Sequence, residues 1–503
     1  MVTSVVESNP AAKQFTYARH KPEETVLYKI IQNNWLTFRN QIENDSGYPL
    51  PDFVIKEFDE YLRCGILAHG FLRAQCQSCQ FEHLIAFSCK RRGFCTSCGA
   101  RRMSETAAHL VDSVLPIQPI RQWVLSFPFQ IRLCLAVRPK IMAKALDITH
   151  AAVSKYYRKK AGLAKLKAKS GAVTLIQRFG GSLNLNVHFH QLFIDGSYEL
   201  GPQNEPIDFI AIAQPTLPEL DQVLQQIIKR LTKYLERQKI IIKDNDQDFQ
   251  LNISEEDTFS RLQASSVTYR FASGPSKGKK AMVLRSVPDG DHNAKSGLVV
   301  KNSGFSLHAG VSTKAHERDK LEKICRYIAR PAVSEERLSL NARGEVIYKF
   351  KKPWDDGTTA IKMTQLEFIE KLVALVPRPR VHLTRFHGVL GPHYKYRKQI
   401  VPAKREQPQL AIAGPEADQD KPAASTKRIS WARLLKRVFN IDISICPKCR
   451  GQIRIIAAIE DPKVIKKILE HMDLPSTAPR PMSARGPPVS DQSDIFAQQF
   501  FEE

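Results

Sequence analysis

The sequence predicts an α+β protein with a cysteine-rich module ahead of its sheet, and three observations carry that expectation. Residues 183–192, LNLNVHFHQL, alternate apolar and polar side chains, the period of two that sends successive strand residues to opposite faces. In KLEKICRYI, residues 320–328, Leu321, Ile324, Cys325 and Ile328 follow the i, i+3, i+4, i+7 spacing of a helix with one buried stripe. Ahead of both, six of the ten cysteines fall between Cys64 and Cys98. In a cytosolic chain that clustering reads as metal binding rather than disulfide.

Taken in order, residues 1–60 read as largely helical, with an amphipathic stretch near Glu24–Glu43. Residues 61–110 form a cysteine-rich module. From Arg121, WVLSFPFQIRLCLAV reads as a strand broken by Pro128. The Ala- and Lys-rich residues 140–168 predict a helix. Ala172–Phe179, a GG turn and the strand at 183–192 predict a hairpin with His188 and His190 near its middle. A strong helix is expected at 217–237, strands at Ser265–Phe271 and Ala281–Ser286, and helices at 313–330, stopped by Pro331, and at Thr364–Val376. Together, residues 115–400 form the main domain. The composition then shifts to Ala, Pro, Gln and Asp over 402–427, a linker. A small unit carrying CPKC is expected at 428–473, and the Pro-rich residues 474–503 as a disordered tail.

A length of 503 residues exceeds one ordinary core and implies roughly two to four domains. No run approaches the ~18 apolar residues of a membrane span, and MVTSVVESNPAAKQF lacks the basic-then-apolar layout of a signal peptide. A cytoplasmic protein without a membrane partner is the expectation. Lys plus Arg number 75 against 51 Asp plus Glu, a formal charge of +24. That excess favours polyanions, nucleic acid above all.

Cys76-Gln-Ser-Cys79 and Cys95-Thr-Ser-Cys98 are separated by fifteen residues, a spacing that lets two knuckles close one tetrahedral thiolate site for Zn2+. Cys64, Cys89, His69 and His83 lie close by and are candidates for a second zinc. Cys446-Pro-Lys-Cys449 has only His471 as an obvious further ligand and is half a site. Arg91 and Arg92, in the basic cluster KRR, are expected to touch nucleic-acid backbone.

His188 and His190, two residues apart on one strand, face the same way. The pattern by itself is compatible both with a polar sheet face and with a shared metal ion. Tyr327 falls about 110° from the centre of its helix's apolar stripe at ~100° per residue. It shares its side with Lys320, Lys323, Arg330 and, farther back, His316, and Arg326 adds a further cation beside it. Such a tyrosine can attack a phosphodiester, given cations around the phosphate and a metal to polarise it. Tyr156 and Tyr157 sit on a Lys-rich helix without such a motif.

The motif HFH at 188–190 resembles the histidine–hydrophobe–histidine signature of the HUH endonuclease superfamily. With the cysteine-rich module ahead of it, the chain resembles rolling-circle transposases of the insertion sequence 91 family, in their insertion-sequence common-region branch. FSCKRRGFCTSC (87–98), NVHFHQLFIDG (186–196), CRYIARPAVSEERL (325–338), PWDDGTT (353–359) and RFHGVLGPH (385–393) carry the likeness. The resemblance implies a ferredoxin-like antiparallel sheet with both histidines on a central strand. It implies Mg2+ or Mn2+ on His188 and His190, and Tyr327 as the nucleophile that nicks single-stranded DNA, leaving a 5′-phosphotyrosine and a free 3′-OH. The DNA would be the ends of the mobile element and its target, contacted by Lys320, Lys323, Arg326 and Arg330. Founding members are described with two tyrosines four residues apart. Here the earlier position is Lys323, so the chain resembles the single-tyrosine branch. Replication initiators and relaxases use the same motif, and an inactive zinc-containing DNA-binding protein is the alternative without chemistry. Gln191 adjoins the pair, but a regular strand points it to the opposite face, and His387 is either DNA-facing or structural.

Overall fold

The computed structural model describes residues 20–164, 167–243, 249–251, 257–285, 297–354, 356–402 and 445–486. The expected linker at 402–427 therefore falls almost wholly outside the described residues, as do residues 428–444 of the small unit.

Two helices open the described chain, α1 (Val26–Ser46) and α2 (Asp52–Arg63). Thr25 caps α1 by accepting the Tyr28 N–H, which satisfies one of the donors that a helix N-terminus leaves open. Trp35 of α1 stacks on Phe58 of α2 with centroids 4.1 Å apart. A hairpin follows, β1 (Phe71–Cys76) and β2 (Glu82–Ala86), and then α3 (Thr96–Ser113).

The main domain starts with β3 (Ile120–Ser126). Beyond the break expected at Pro128 the chain resumes as a helix, α4 (Phe129–Val137), and not as strand. The apolar run there is buried around most of its circumference, and such a run carries no period that separates helix from strand. Next come α5 (Pro139–Lys160), β4 (Gly171–Phe179), β5 (Leu185–Ile194) and α6 (Leu217–Arg237). The strand expected at Ser265–Phe271 instead begins as the last turn of α7 (Thr258–Val267). Its start signal, Asp257 accepting the Ser260 N–H, lies upstream of the β-branched residues that suggested a strand. Among the elements that follow are β6 (Val299–Asn302), β7 (Phe305–Thr313), α8 (Arg318–Ile328), α9 (Gln365–Leu375) and β8 (Thr384–Gly388).

Six of these strands form one sheet in the order β6-β7-β3-β5-β4-β8, with every neighbouring pair antiparallel. Thus β5 is a central strand of an α+β fold. Its odd-numbered apolar residues, Leu185, Val187, Phe189 and Phe193, join the main core with residues of α4, α7 and α9. Leu192 and Ile194 face the other way, into a second core with α3 and α8. The strict alternation ends after His190 because both faces are covered there.

At the end of β5, Asp195 is buried and paired with buried Arg121, their nearest atoms 2.8 Å apart. The Tyr157 hydroxyl donates to Asp195 at 2.8 Å and accepts from the Trp123 indole N–H at 3.0 Å. Arg121 also donates to the Ala309 carbonyl, so the network ties β3, β5, β7 and α5 together.

The CPKC segment does not fold as a separate unit. The strand β9 (Ile453–Ile459) adds to β1, with Phe71 opposite Ile459 and Cys76 opposite Ile453. The helix α10 (Pro462–His471) seats Ile465 and Leu469 against Leu67, Phe71 and Leu84. Residues 475–486, expected as the start of a disordered tail, run along α1. There the Met482 N–H donates to the Gln32 carbonyl at 2.9 Å and the Arg485 N–H to Thr37 Oγ1 at 3.1 Å. Composition gave no sign of this because the docking surface is supplied by the other end of the chain.

Replacing Asp195 by alanine leaves Arg121 buried without its counter-charge and is expected to cost about 3–5 kcal/mol. Urea unfolding checks it, and a change within experimental error would remove the network from its role in fixing β5.

Candidate functional site

The cysteines regroup relative to their spacing. The expected quartet Cys76, Cys79, Cys95 and Cys98 does not form. Cys64, Cys89, Cys95 and Cys98 come together in one cluster, and Cys76, Cys79, Cys446 and Cys449 in another. The hairpin is the reason. Cys76 and Cys79 sit at its tip, while Cys64 precedes β1 and Cys89 follows β2 at its base. At ~3.3 Å per residue, a strand of this length puts more than about 15 Å between tip and base, beyond the reach of one ion. In the base cluster, the Cys64 sulfur lies 3.7 Å from those of Cys95 and Cys98, and Cys89 is 3.5 Å from Cys98. Thiolates bound to zinc at 2.3 Å in a tetrahedron stand about 3.8 Å apart, so the donor set fits Zn2+. His69, His83 and His471 join neither cluster.

His188 and His190 lie on the face of β5 that α3 and α8 cover farther along. The His188 ring places Nδ1 2.8 Å from the Asn186 carbonyl and Nε2 3.0 Å from Gln177 Oε1. The Gln177 amide is oriented by its nitrogen, which donates to the Ile328 carbonyl at 2.9 Å. With Nδ1–H donating to a carbonyl, Nε2 presents a lone pair to the amide oxygen, another acceptor. A cation between them resolves that opposition, whereas protonation is resisted, since burial pulls the His188 pKa down to about 4. His190 is likewise pushed well below its ordinary value by burial and by the neighbouring His188. Gln122 on β3 holds its Nδ1 at 2.7 Å. Its Nε2 is buried with no hydrogen-bond partner among the described residues. Two neutral imidazoles and an amide oxygen thus suit a divalent cation. A metal-bound state needs Gln122 to turn its amide oxygen toward Nδ1–H, the support that metal-bound histidines ordinarily receive.

Gln177 and Gln122, beside the two histidines, were not singled out from the sequence. The signal for Gln177 was available, as one of the few polar residues in a mainly apolar strand predicted to pair with the histidine strand. Gln191, the nearer glutamine, turns to the opposite face and donates to Thr174 Oγ1.

Helix α8 packs on the same face through Leu321, Cys325 and Ile328, all buried. Tyr327 projects away from this stripe and is 46% exposed, open to a substrate. Arg330 stacks on its ring with the guanidinium 4.3 Å from the centroid, and Lys351 Nζ lies 4.9 Å away. Lys351 was not foreseen, because it comes from the loop after another strand. Since Ile328 directly follows Tyr327, the Gln177 bond fixes the end of the tyrosine helix to the strand beside His188. In the same second core, α3 packs on α8. Gly99, in the first turn of α3, has no room for a side chain, because a Cβ there would lie 2.6 Å from Pro331. The helix that begins at the Cys95–Cys98 knuckle therefore abuts the end of the tyrosine helix.

The other expected DNA contacts divide. Lys323 is exposed, and Lys320 is exposed with Glu317 3.3 Å away. Arg326 pairs with Glu322, and Arg91 with Glu60. Arg92 donates to the Val381 carbonyl at 2.7 Å. Arg91, Arg92 and Arg326 are thus engaged with protein partners. Tyr157 is fully buried in the Asp195 network and Tyr156 is buried beside it, so neither presents its hydroxyl to a substrate. His387 stacks on His150 with centroids 4.8 Å apart, and His150 on Phe193, a packing position.

Comparison with known families gives two matches. Residues 171–398 match a family described as "Putative transposase", and residues 30–127 match the transposase zinc-binding domain of the insertion sequence 91 type. No curated protein and no solved structure matches the chain. The zinc-binding match spans α1 to β3 and the base thiolate cluster, and the transposase match spans the strands and helix that bear His188, His190, Gln177 and Tyr327. The chain belongs to the insertion sequence 91 family of transposases, DNA-processing proteins with an N-terminal zinc-binding domain.

Proposed function

We propose that the chain nicks and rejoins single-stranded DNA at the ends of its mobile element, with Tyr327 as nucleophile. His188, His190 and Gln177 would hold a divalent ion, Mg2+ or Mn2+. The observation that carries this reading is the Gln177 side chain, whose oxygen faces His188 and whose nitrogen holds the carbonyl of Ile328. One residue thereby couples the cation donors to the helix of the exposed tyrosine.

The ion, when bound, polarises the scissile phosphate. Tyr327 Oη attacks phosphorus, the P–O3′ bond breaks, the phenolic proton passes to solvent and the departing 3′-oxygen takes up a proton. The product is a 5′-phosphotyrosine and a free 3′-OH, and attack by a 3′-OH on that ester reverses the step without ATP. Arg330 and Lys351, beside the ring, offset the negative charge that gathers as the phenolate attacks. The formal charge of +24 and a cytoplasmic location fit the same reading, and no helix among the described residues is long and apolar enough to cross a membrane.

Tyr327→Phe is expected to bind an oligonucleotide carrying the element's end as the parent does, yet to form no covalent adduct on a denaturing gel. Undiminished adduct would reassign the nucleophile. His188→Ala is expected to lose metal-dependent nicking in the same assay, with wild-type rates excluding it as a ligand.

Gln177→Ala is expected to lower the nicking rate about 10–100-fold, the usual cost of disturbing a metal's surroundings. Titration with Mn2+ should show a raised metal requirement. An unchanged requirement with unchanged rate would separate Gln177 from the cation.

A pH dependence follows for chelator-treated protein. The unfolded His188 takes a proton near pH 6.5, but the folded one resists it down to about 4. Above pH 6.5 both states are neutral and the group leaves stability flat. As pH falls through that window the unfolded state gains the proton first, so Tm declines. His188→Gln is expected to make that decline shallower. An identical slope would mean that the buried imidazole is not what resists protonation.

A further inference from the structure

The cluster of Cys76, Cys79, Cys446 and Cys449 lies partly outside both family matches, which end at residues 127 and 398. Its two halves stand far apart in the chain, 367 residues separating Cys79 from Cys446. Yet their sulfurs converge, Cys76 to 3.4 Å from Cys449 and Cys79 to 3.6 Å from Cys446.

The two halves are built alike. The Cys76 N–H donates to the Phe81 carbonyl and the Gln80 N–H to the Cys76 carbonyl, at 2.8 and 3.2 Å. The same spacings recur in the other half, where the Cys446 N–H donates to the Gly451 carbonyl at 2.8 Å and the Arg450 N–H to the Cys446 carbonyl at 2.9 Å. Gln80 and Arg450, at equivalent positions, both adopt the left-handed conformation, with φ of 58° and 60°. Backbone N–H groups also point at sulfur, Ser78 to Cys76 and Gly451 to Cys449, each at 3.4 Å. Such bonds favour thiolate over thiol. The knuckles are pressed together, since the Gln77 N–H donates to the Gln452 carbonyl at 2.9 Å. A Cβ on Gly451 would come within 2.4 Å of Ser78 Oγ and 3.1 Å of Cys76 Sγ.

We propose that these four cysteines bind a second Zn2+, which clasps the C-terminal segment 445–474 to the zinc-binding domain at the other end of the chain. Four thiolates at this separation repel one another unless a cation lies among them, and the sulfur spacing matches the ~3.8 Å of a tetrahedral zinc–thiolate site. Besides the knuckles, the described residues of 445–474 meet that domain through one antiparallel pairing, β1 with β9, and the apolar contact of Ile465 and Leu469 with Leu67, Phe71 and Leu84. Segments this short ordinarily need a metal to complete their core. Unlike the base cluster, in which no cysteine is fully exposed, Cys79 and Cys449 are exposed. The clasp is thus the more accessible of the two sites to a competing chelator.

The test is zinc content of the full chain by mass spectrometry. Wild type is expected to carry two zinc ions per chain. C446S/C449S and C76S/C79S should each carry one, and all four substitutions together should still leave one, because both pairs serve the same ion. Two ions retained in either pair variant, one ion in wild type, or a further loss in the fourfold variant would each overturn the proposal. A measurement on the unmodified chain guards against misfolding of the variants. A chromogenic chelator should withdraw zinc in two phases, and amide hydrogen exchange over 453–459 should accelerate with the fast phase. A single phase, or fast release with no change in those amides, would show that the metal does not hold the segment.

Discussion

The register of the strand Leu185–Ile194 is the constraint on which the rest of the structure depends. It lies between two neighbours in an antiparallel sheet and is covered on both faces near its end. Because strand side chains alternate, a slip of one residue would exchange His188 and His190 for Val187 and Phe189 on the site face. Two devices oppose that slip. Phe189 and Phe193 fill the main core from one face, while Leu192 and Ile194 fill the second core from the other. The buried ion pair of Asp195 and Arg121 pins the strand's end. A buried ion pair is a weak source of net stability, but it disfavours any register that separates its members.

The second core then determines where chemistry can occur. It contains one face of α3, one face of α8 and the far end of the histidine strand, so helix and strand are positioned by a shared apolar layer. Leu321 and Ile328 are each worth about 1.5–3 kcal/mol on burial, enough to fix the rotation of an eleven-residue helix. Once that rotation is set, Tyr327 must point away from the core. Gln177 refines the placement with a directional bond that apolar packing cannot supply. The same α3 starts at the thiolate cluster and ends beneath the sheet, which makes the zinc-binding domain a structural neighbour of the tyrosine helix.

Much of this was legible in the residues. Period-two alternation located the histidine strand and its common face, and the helical stripe placed Tyr327 off the buried side of α8. Cysteine density announced a metal module. The readings that failed have separate causes. The apolar run after Pro128 is a helix because neighbours cover it, which its local pattern does not reveal, whereas the residues around Ser265 continue a helix already started at Asp257. The cysteine spacing was compatible with a single quartet, but hairpin geometry separates Cys76 and Cys79 from Cys95 and Cys98.

By itself, then, the sequence determined the chemical types and faces of the site: two histidines on one side of a strand, a tyrosine outside a stripe, thiolates in pairs. These follow from periodicities of the backbone that hold in any fold. Only the tertiary structure decided which distant groups meet, Gln177 with both His188 and Ile328, Lys351 with Tyr327, and Cys446 and Cys449 with Cys76 and Cys79. Those encounters depend on strand order and on chain closures that reach 373 residues between Cys76 and Cys449, which local periodicity does not specify.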